Sequence, residues 1–247
     1  MLKSGMKRFI SKTVRREFLP LGRLIVLESG LLFGGLRAGA EAPAPEAAGR
    51  EATITSDQLE LVQNGAESIF TGHVVLTRTP YVLNADRMAR VQATGVVEAQ
   101  GHIVGTWVQS TGEKTVAVGE RARYAPQQQT VELWEGARLT HWESLKDADP
   151  LVVTAGRFIA HLDAQILDAQ KDVVIRRGTS YVSHSDQAKY EQPAGVLHLW
   201  GSRPIAVEFA DAQGSGHFIS ERGLLYLSPR KVRLIDDVTG QIIPAPR

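Results

Sequence analysis

Acidic residues recur along this chain at intervals that would suit general acid–base work if the fold gathered them. Asp57, Asp86, Glu120, Asp186 and Glu221 offer the carboxylates of a glycosidase, whose two acids must flank one bond at about 5–10 Å separation. Acids at near-regular intervals instead fall at equivalent places along a stack, as the corners of a β-solenoid would. Seven histidines stand at 73, 102, 141, 161, 184, 198 and 217, with no His-x-His or His-Glu-x-x-His grouping. His73 and His102 each follow a glycine and sit where neighbouring strands would let them face each other. A zinc site built on that pair lacks further acidic ligands at a supporting spacing. Ser183-His184-Ser185-Asp186 holds the residue types of a hydrolytic triad, but neighbours on a strand point to opposite faces and cannot align. Gly214-Ser215-Gly216 lacks the strand-to-helix setting of a phosphate-binding loop. With no cysteine in the chain, disulfides, thiolate metal sites and a thiol nucleophile are all excluded. No catalytic residue, metal ligand or cofactor is assigned, and the chain reads as a non-enzyme.

The acids belong to a repeat. Asp57, Asp86, Glu120, Gly156, Asp186 and Glu221 are followed 15 or 16 residues later by Gly72, Gly101, Gly136, Asp172, Gly201 and Asp236. The residue before each member of the first series is small: Ser56, Ala85, Gly119, Ala155, Ser185 and Ser220. Successive units start 29, 34, 36, 30 and 35 residues apart. A tight internal offset with loose joins marks stacked supersecondary units, whose insertions collect in the turns.

Within each unit the apolar pattern alternates with period two. Phe70, Gly72, Val74 and Leu76 share one face; Val97, Ala99, Gly101 and Ile103 repeat them. Alternation of this kind between turn signals such as Gln63-Asn64-Gly65, Thr79-Pro80 and Pro193-Ala194-Gly195 predicts antiparallel strands. Gly156–Ile166 has a helical pattern, which its place in the repeat overrules. At each first-series position the inward register slips: Leu83 and Ala85 hand over to Met88. A small residue beside a carboxylate that can accept backbone N–H bonds, at such a slip, predicts a bulge or corner. The acids are therefore expected to cap corners. Two strands per unit give an all-β antiparallel sheet of about twelve strands.

Charge is uneven along the chain. Residues 1–40 hold eight Lys/Arg against two Glu, leaving an acidic body beneath a formal net charge of +1. Such a body is poorly suited to neutralising phosphates, so nucleic acid is not an expected partner. Val14-Arg15-Arg16-Glu17-Phe18-Leu19 resembles a twin-arginine export signature, with the general secretory route as the alternative. Ala38-Gly39-Ala40 offers a cleavage site, and an Ala/Pro-rich linker over 41–51 follows. The predicted organisation is an export signal over 1–40, the linker, and one β domain over 52–247, placed in the periplasm after cleavage near Ala40. Arg23, Glu28 and Arg37 interrupt the leader's apolar runs and disfavour an uncleaved anchor.

The segment Ile54-Thr55-Ser56-Asp57-Gln58-Leu59-Glu60-Leu61, followed by Phe70-Thr71-Gly72-His73-Val74-Val75-Leu76, resembles the opening of OstA-like domains. Leu83–Met88 with Glu98–Ile103, and Ser185–Ala188 through Leu199–Gly201, echo it. Glu120, Gly156 and Asp172 depart from the pattern in the third and fourth units. Such domains form the periplasmic bridge of the lipopolysaccharide exporter, the LptA family, and recur in its membrane-tethered LptC partner. The resemblance implies a β jelly-roll folded like a taco, with acyl chains between its walls and like domains joined through open edge strands. Its expected partners are lipopolysaccharide or a related lipid, other OstA-like domains of the exporter, and head-to-tail copies of itself. Candidates for the apolar lining are Ile54, Leu59, Phe70, Val74, Leu76, Leu83, Met88, Ile103, Phe158, Leu199 and Leu234; the same residues would equally fill a closed core. Each sheltered acyl methylene is worth about 0.8 kcal/mol, so a continuous apolar floor suffices without one strong site. Arg176, Arg177, Arg230, Lys231 and Arg233 either meet lipid phosphates at the mouth or form a solvated strand face. The alternatives are an LptC-type tethered subunit and a carbohydrate-active β-solenoid.

Overall fold

The structure, a computed structural model, describes residues 24–26, 52–108, 112–144, 148–227 and 230–245. The expected export signal over 1–40 and linker over 41–51 lie outside these, apart from the backbone of Leu24–Val26. Among the described residues there is no α-helix. Three single-turn 3₁₀ segments, Gln63–Gly65, Pro126–Gln128 and Gln192–Ala194, occur in connections between strands.

The strands run in chain order as β1 (Leu24–Val26), β2 (Ala52–Thr55), β3 (Gln58–Val62), β4 (Glu67–Arg78), β5 (Tyr81–Val91), β6 (Val97–Val108) and β7 (Lys114–Ala125). Then come β8 (Thr130–Trp134), β9 (Arg138–Trp142), β10 (Leu151–Thr154), β11 (Arg157–His161), β12 (Ile166–Arg177) and β13 (Tyr181–Glu191). The last are β14 (Val196–Trp200), β15 (Ile205–Asp211), β16 (Gly214–Ser220), β17 (Arg222–Tyr226), β18 (Lys231–Ile235) and β19 (Thr239–Pro244). Every pairing is antiparallel.

These segments are halves of bent rungs. The long strands β4, β5, β6, β7, β12 and β13 each cross a corner; elsewhere the corner separates two short strands, as between β2 and β3 or between β8 and β9. Wall one runs β3-β4-β5-β6-β7-β8-β11-β12-β13-β14-β17-β18. Wall two runs β1-β2-β4-β5-β6-β7-β9-β10-β12-β13-β15-β16-β19. The result is an all-β, antiparallel jelly-roll of twelve rungs folded along one edge. The stretch from Gly156 with helical periodicity is strand β11 and the turn after it.

The register slips read from sequence lie at the corners. Pairing jumps between Thr71 and Val74, Asn84 and Arg87, Gln100 and Ile103, and Gln170 and Val173. One jump re-aims each strand so that Ala85 and Met88, on opposite sides of the bend, both face inward and are buried. The inner faces are therefore continuous. Next to the corner in wall one, the register aligns Leu59, Phe70, Met88, Ala99, Ala122, Leu133, Phe158, Ala169, Ala188, Leu199, Gly223 and Leu234. Wall two answers with Ile54, Leu76, Leu83, Gly105, Ala117, Leu139, Val153, Ile175, Ser183, Val207 and Phe218. Ala and Gly are interspersed among the large side chains, and the walls meet at the seam. A Cβ added to Gly223 of wall one would stand 2.5 Å from Ile205 Cδ1 of wall two.

Candidate lipid-binding trough

The repeated acids build the outside of the fold, away from the interior. Asp57 Oδ2 meets His73 Nδ1 at 2.8 Å, and Asp86 Oδ2 meets His102 Nδ1 at the same distance. His73 and His102 thus each face an aspartate of the preceding rung and not each other. Asp186 Oδ2 accepts from the Ser202 N–H at 2.8 Å and hydroxyl at 2.7 Å, while Arg203 donates to Asp186 and, at 2.8 Å, to Asp172. Of the second-series glycines, Gly72, Gly101 and Gly201 are required by this packing, whereas nothing stands within 4 Å of a Cβ at Gly136. A Cβ on Gly201 would lie 2.6 Å from Asp186 Oδ2, and one on Gly72 or Gly101 would run into Asp57 or Asp86. Gly72 and Gly101 also hold φ of +77° and +75°, the region glycine enters without strain. Where unit four inverts the pair, Gly156 donates its N–H to the Lys171 carbonyl at 2.8 Å and its missing side chain makes room for Lys171 Cβ. The ridge is a ladder of corner caps.

Hydrogen bonding to Asp57 and the charge of that carboxylate raise the pKa of His73; Asp86 does the same for His102. The Asp186 carboxyl is held well below its ordinary value by the Ser202 hydroxyl and the Arg203 guanidinium. Alternation along β13 turns Ser183 and Ser185 inward and buries both, whereas His184 is exposed on the other face. No triad assembles. Among the described residues no group of three His, Asp or Glu is placed to hold a metal ion.

Inside, the seam is buried throughout; cover falls off toward the mouth at Leu76 and Leu83, whereas Leu151, Arg177, Leu197 and Leu225 are buried further from the corner as well. Ile54, Phe70, Val74, Met88, Ile103, Phe158 and Leu199 are buried against one another at the seam. Leu76, Leu83 and Leu234 pack against that cluster but are only partly covered, as are Leu139, Leu167, Tyr190 and Leu227. Leu59 is in the inner row beside Phe70 yet 36 % exposed, because among the described residues β3 is a terminal strand with a neighbour only in β4. All eleven residues named from the sequence are on the inner face. The structure separates them into a packed floor, a half-covered shelf above it and an open end.

The mouth has one cluster that the apolar pattern did not reveal. Arg177, at the mouth end of β12, is 8 % exposed and donates from Nη2 to Glu143 Oε1 at 2.7 Å. Glu143 follows β9 in wall two. Its other oxygen accepts from Arg230 Nη2 at 3.3 Å, and Arg230 lies in the β17–β18 turn of wall one. This ion pair therefore ties the two walls together across the open side. Burial pushes the Glu143 carboxyl up, but hydrogen bonds and charge from Arg177 and Arg230 outweigh it and leave the pKa lowered. Of the other basic residues flagged by sequence, Arg176 and Arg233 lie on the outward parity of their strands. Lys231 Nζ sits 5.9 Å from the Tyr226 ring centre. Glu143, Tyr181 and Ser183 escaped sequence reasoning; the polar inward parity of Tyr181, Ser183 and Ser185 was the available signal.

The sequence model of the family described as "LptA/(LptD N-terminal domain) LPS transport protein" matches residues 53–166. No curated protein sequence matches. Among solved structures, the chain is similar to LptH, described as the LptA homologous periplasmic component of the lipopolysaccharide transport device of Pseudomonas aeruginosa. That similarity carries 19 % identity and a TM-score of 0.42, and it covers 48 % of this chain and 81 % of LptH. The matched stretch contains the first three corner pairs, from Asp57 and Gly72 to Glu120 and Gly136. Over residues 53–166, a little under half of its length, the chain is thus similar to the LptA and LptD N-terminal family of LPS transport proteins.

Proposed function

We propose that this chain is a periplasmic lipid-binding bridge that shelters lipopolysaccharide acyl chains between its walls and passes them toward the outer membrane. The observation that carries this reading is the unbroken inner row, apolar in every rung of wall one from Leu59 to Leu234. Acyl chains would lie along the half-covered shelf of Leu76, Leu83, Leu139 and Leu167, with the packed seam as its floor. Ten sheltered methylenes contribute about 8 kcal/mol before ordering costs, so no single strong contact is needed.

Both ends of the stack suit joining to like domains or to further copies of this chain. Leu59 and Leu61 are exposed at one end; Val232, Val238, Ile242 and Ile243 are exposed at the other. β3, β18 and β19 each have a strand neighbour on one side only among the described residues. An apolar inner face ending on an open ladder invites strand addition by a domain of the same cross-section. In this reading the OstA-like domain extends over 52–247, beyond the matched stretch.

Photo-crosslinking groups at Leu83 and Leu167, exposed to radiolabelled lipopolysaccharide in the full chain, test the proposal. Labelling at both positions, with none from a group at outward-facing Arg176, is the expected result. Absence of label at both shelf positions would remove the carrier reading.

A further inference from the structure

Buried polar groups in this protein concentrate on one wall. Arg177, Ser183, Ser185 and Ser220 are all buried on wall two, in the rungs from β12 to β16. Arg177 and Tyr181 are direct cross-strand partners at the mouth end of the β12–β13 hairpin, which sets their Cβ atoms about 4.5–5.5 Å apart on the same face. Ser183 follows on that face, one step nearer the corner.

Among the described residues Arg177 Nη1 has no hydrogen-bond partner, and the Tyr181 and Ser183 hydroxyls have none beyond each other. Arg177 already uses Nη2 on Glu143, and Glu143 is shared with Arg230. Arg177 Nη1 is therefore left over once the Glu143 contact is made. Buried polar groups are nearly always paired, because an unpaired one costs about 1–3 kcal/mol. A guanidinium that is nine-tenths buried with one free nitrogen, beside two hydroxyls on its own face, calls for an acceptor with several oxygens. Phosphate has that shape, and a guanidinium binds it through directed, charge-assisted hydrogen bonds.

We propose that Arg177, Tyr181 and Ser183 form a phosphate-binding subsite at the mouth of the trough, with Arg230 as a second cation on the facing wall. The phosphate is one borne by a lipid whose tails lie on the adjoining apolar shelf, so this inference rests on the carrier reading above. Glu143 holds the two arginines in place while the subsite is free. An entering phosphate competes with that carboxylate for Arg230, so loading relaxes the tie between the walls.

Calorimetry on the full chain tests this with three ligands: a phosphorylated lipid A analogue, the dephosphorylated analogue with the same tails, and inorganic phosphate. Tyr181→Phe removes one hydroxyl without leaving a hole, and Arg177→Lys keeps the charge while losing the fork; circular dichroism verifies that both fold. The phosphorylated lipid is expected to bind wild type roughly tenfold more tightly than its dephosphorylated counterpart, the worth of one hydrogen bond to a charged group. Both variants should erase that difference and leave the dephosphorylated lipid unaffected. Equal binding of the two lipids by wild type overturns the subsite and leaves the carrier reading standing. If neither lipid binds but inorganic phosphate does, and only to wild type, the site is a free-anion site and the carrier reading fails. Silence from all three ligands overturns both.

Discussion

His102 Nδ1 lies 2.8 Å from Asp86 Oδ2, and one unit earlier His73 and Asp57 repeat the contact at 2.8 Å. Each pair joins adjacent rungs across the outside of the corner, in solvent. Both histidines have raised pKa values in the folded protein. A raised folded value means that the pair stabilises the fold fully below the unfolded histidine value of 6.5 and loses that contribution as pH climbs through the folded value. NMR titration should place both imidazoles above 6.5, with Asp57→Asn and Asp86→Asn returning each toward it. Titration of the wild-type pair at or below 6.5 would contradict the capping role. Because the pairs are exposed, added salt should shrink the effect.

Asp186 has the opposite sign. Its pKa is depressed by the Ser202 hydroxyl and Arg203, so its contribution is present above the ordinary 3.8 and disappears as pH falls toward the lower folded value. Acid titrations of thermal stability should therefore show Asp186→Asn with a shallower decline than wild type below about pH 4. Parallel curves would mean that the carboxylate is dispensable at its corner.

Gly101 and Gly65 both hold positive φ, at +75° and +91°. Only Gly101 is pressed against a neighbour, the Asp86 carboxylate; nothing stands within 4 Å of a Cβ at Gly65. Gly65→Ala should cost roughly 1–2 kcal/mol from backbone strain alone. Gly101→Ala should exceed it measurably in urea unfolding, because Asp86 must also leave its histidine. Equal losses would show that the aspartate and glycine are not a packed pair.

At the seam, Leu199 is 2 % exposed, whereas Leu61, on the same inner face of the terminal strand, is 63 % exposed. Leu199→Ala is expected to destabilise by about 2–5 kcal/mol and Leu61→Ala by less than about 0.5 kcal/mol. Chemical denaturation of the two variants distinguishes a packed floor from one that is open throughout. A small loss at Leu199 would place the open space at the seam itself.

Removal of Ile242–Arg247 strips the outer part of β19, including Ile242 and Ile243, which are 66 % and 56 % exposed. If copies join through this end, analytical ultracentrifugation should show weaker self-association of the truncated chain at equal concentration. Unchanged association would shift the joint to the β3 end or abolish it.

The corner was legible in the sequence because its chemistry is restrictive. An aspartate in that bend needs a residue without a side chain on the next rung, so Asp57 with Gly72, Asp86 with Gly101 and Asp186 with Gly201 recur even though the strands between them vary freely. The inner face was legible for a related reason: period-two alternation fixes which side a residue takes, and the one-register jump at each corner is visible as the handover from Ala85 to Met88. Depth was hidden. Phe70 and Leu76 share a face and a hydropathy, yet the first is in the seam and the second on the shelf, a difference set by distance from the bend and by how far the walls splay. Leu59 shows the same limit along the other axis, since an edge position is defined by a missing neighbour. Arg177 was read only as a basic residue near a mouth. Its partner Glu143 is shared with Arg230, 87 positions from that glutamate, and no local pattern announces a contact at that separation.

The stacking of one bent rung on the next also governs how the molecule fails. Each rung is sealed chiefly by the two beside it, so a lesion at one corner is felt by its immediate neighbours and fades beyond them, and free energy adds up along the axis rung by rung. Fraying should begin at the terminal rungs and work inward. A molecule assembled this way can gain or lose whole units over evolutionary time with its bore unaltered, provided the new end is finished as the old one was.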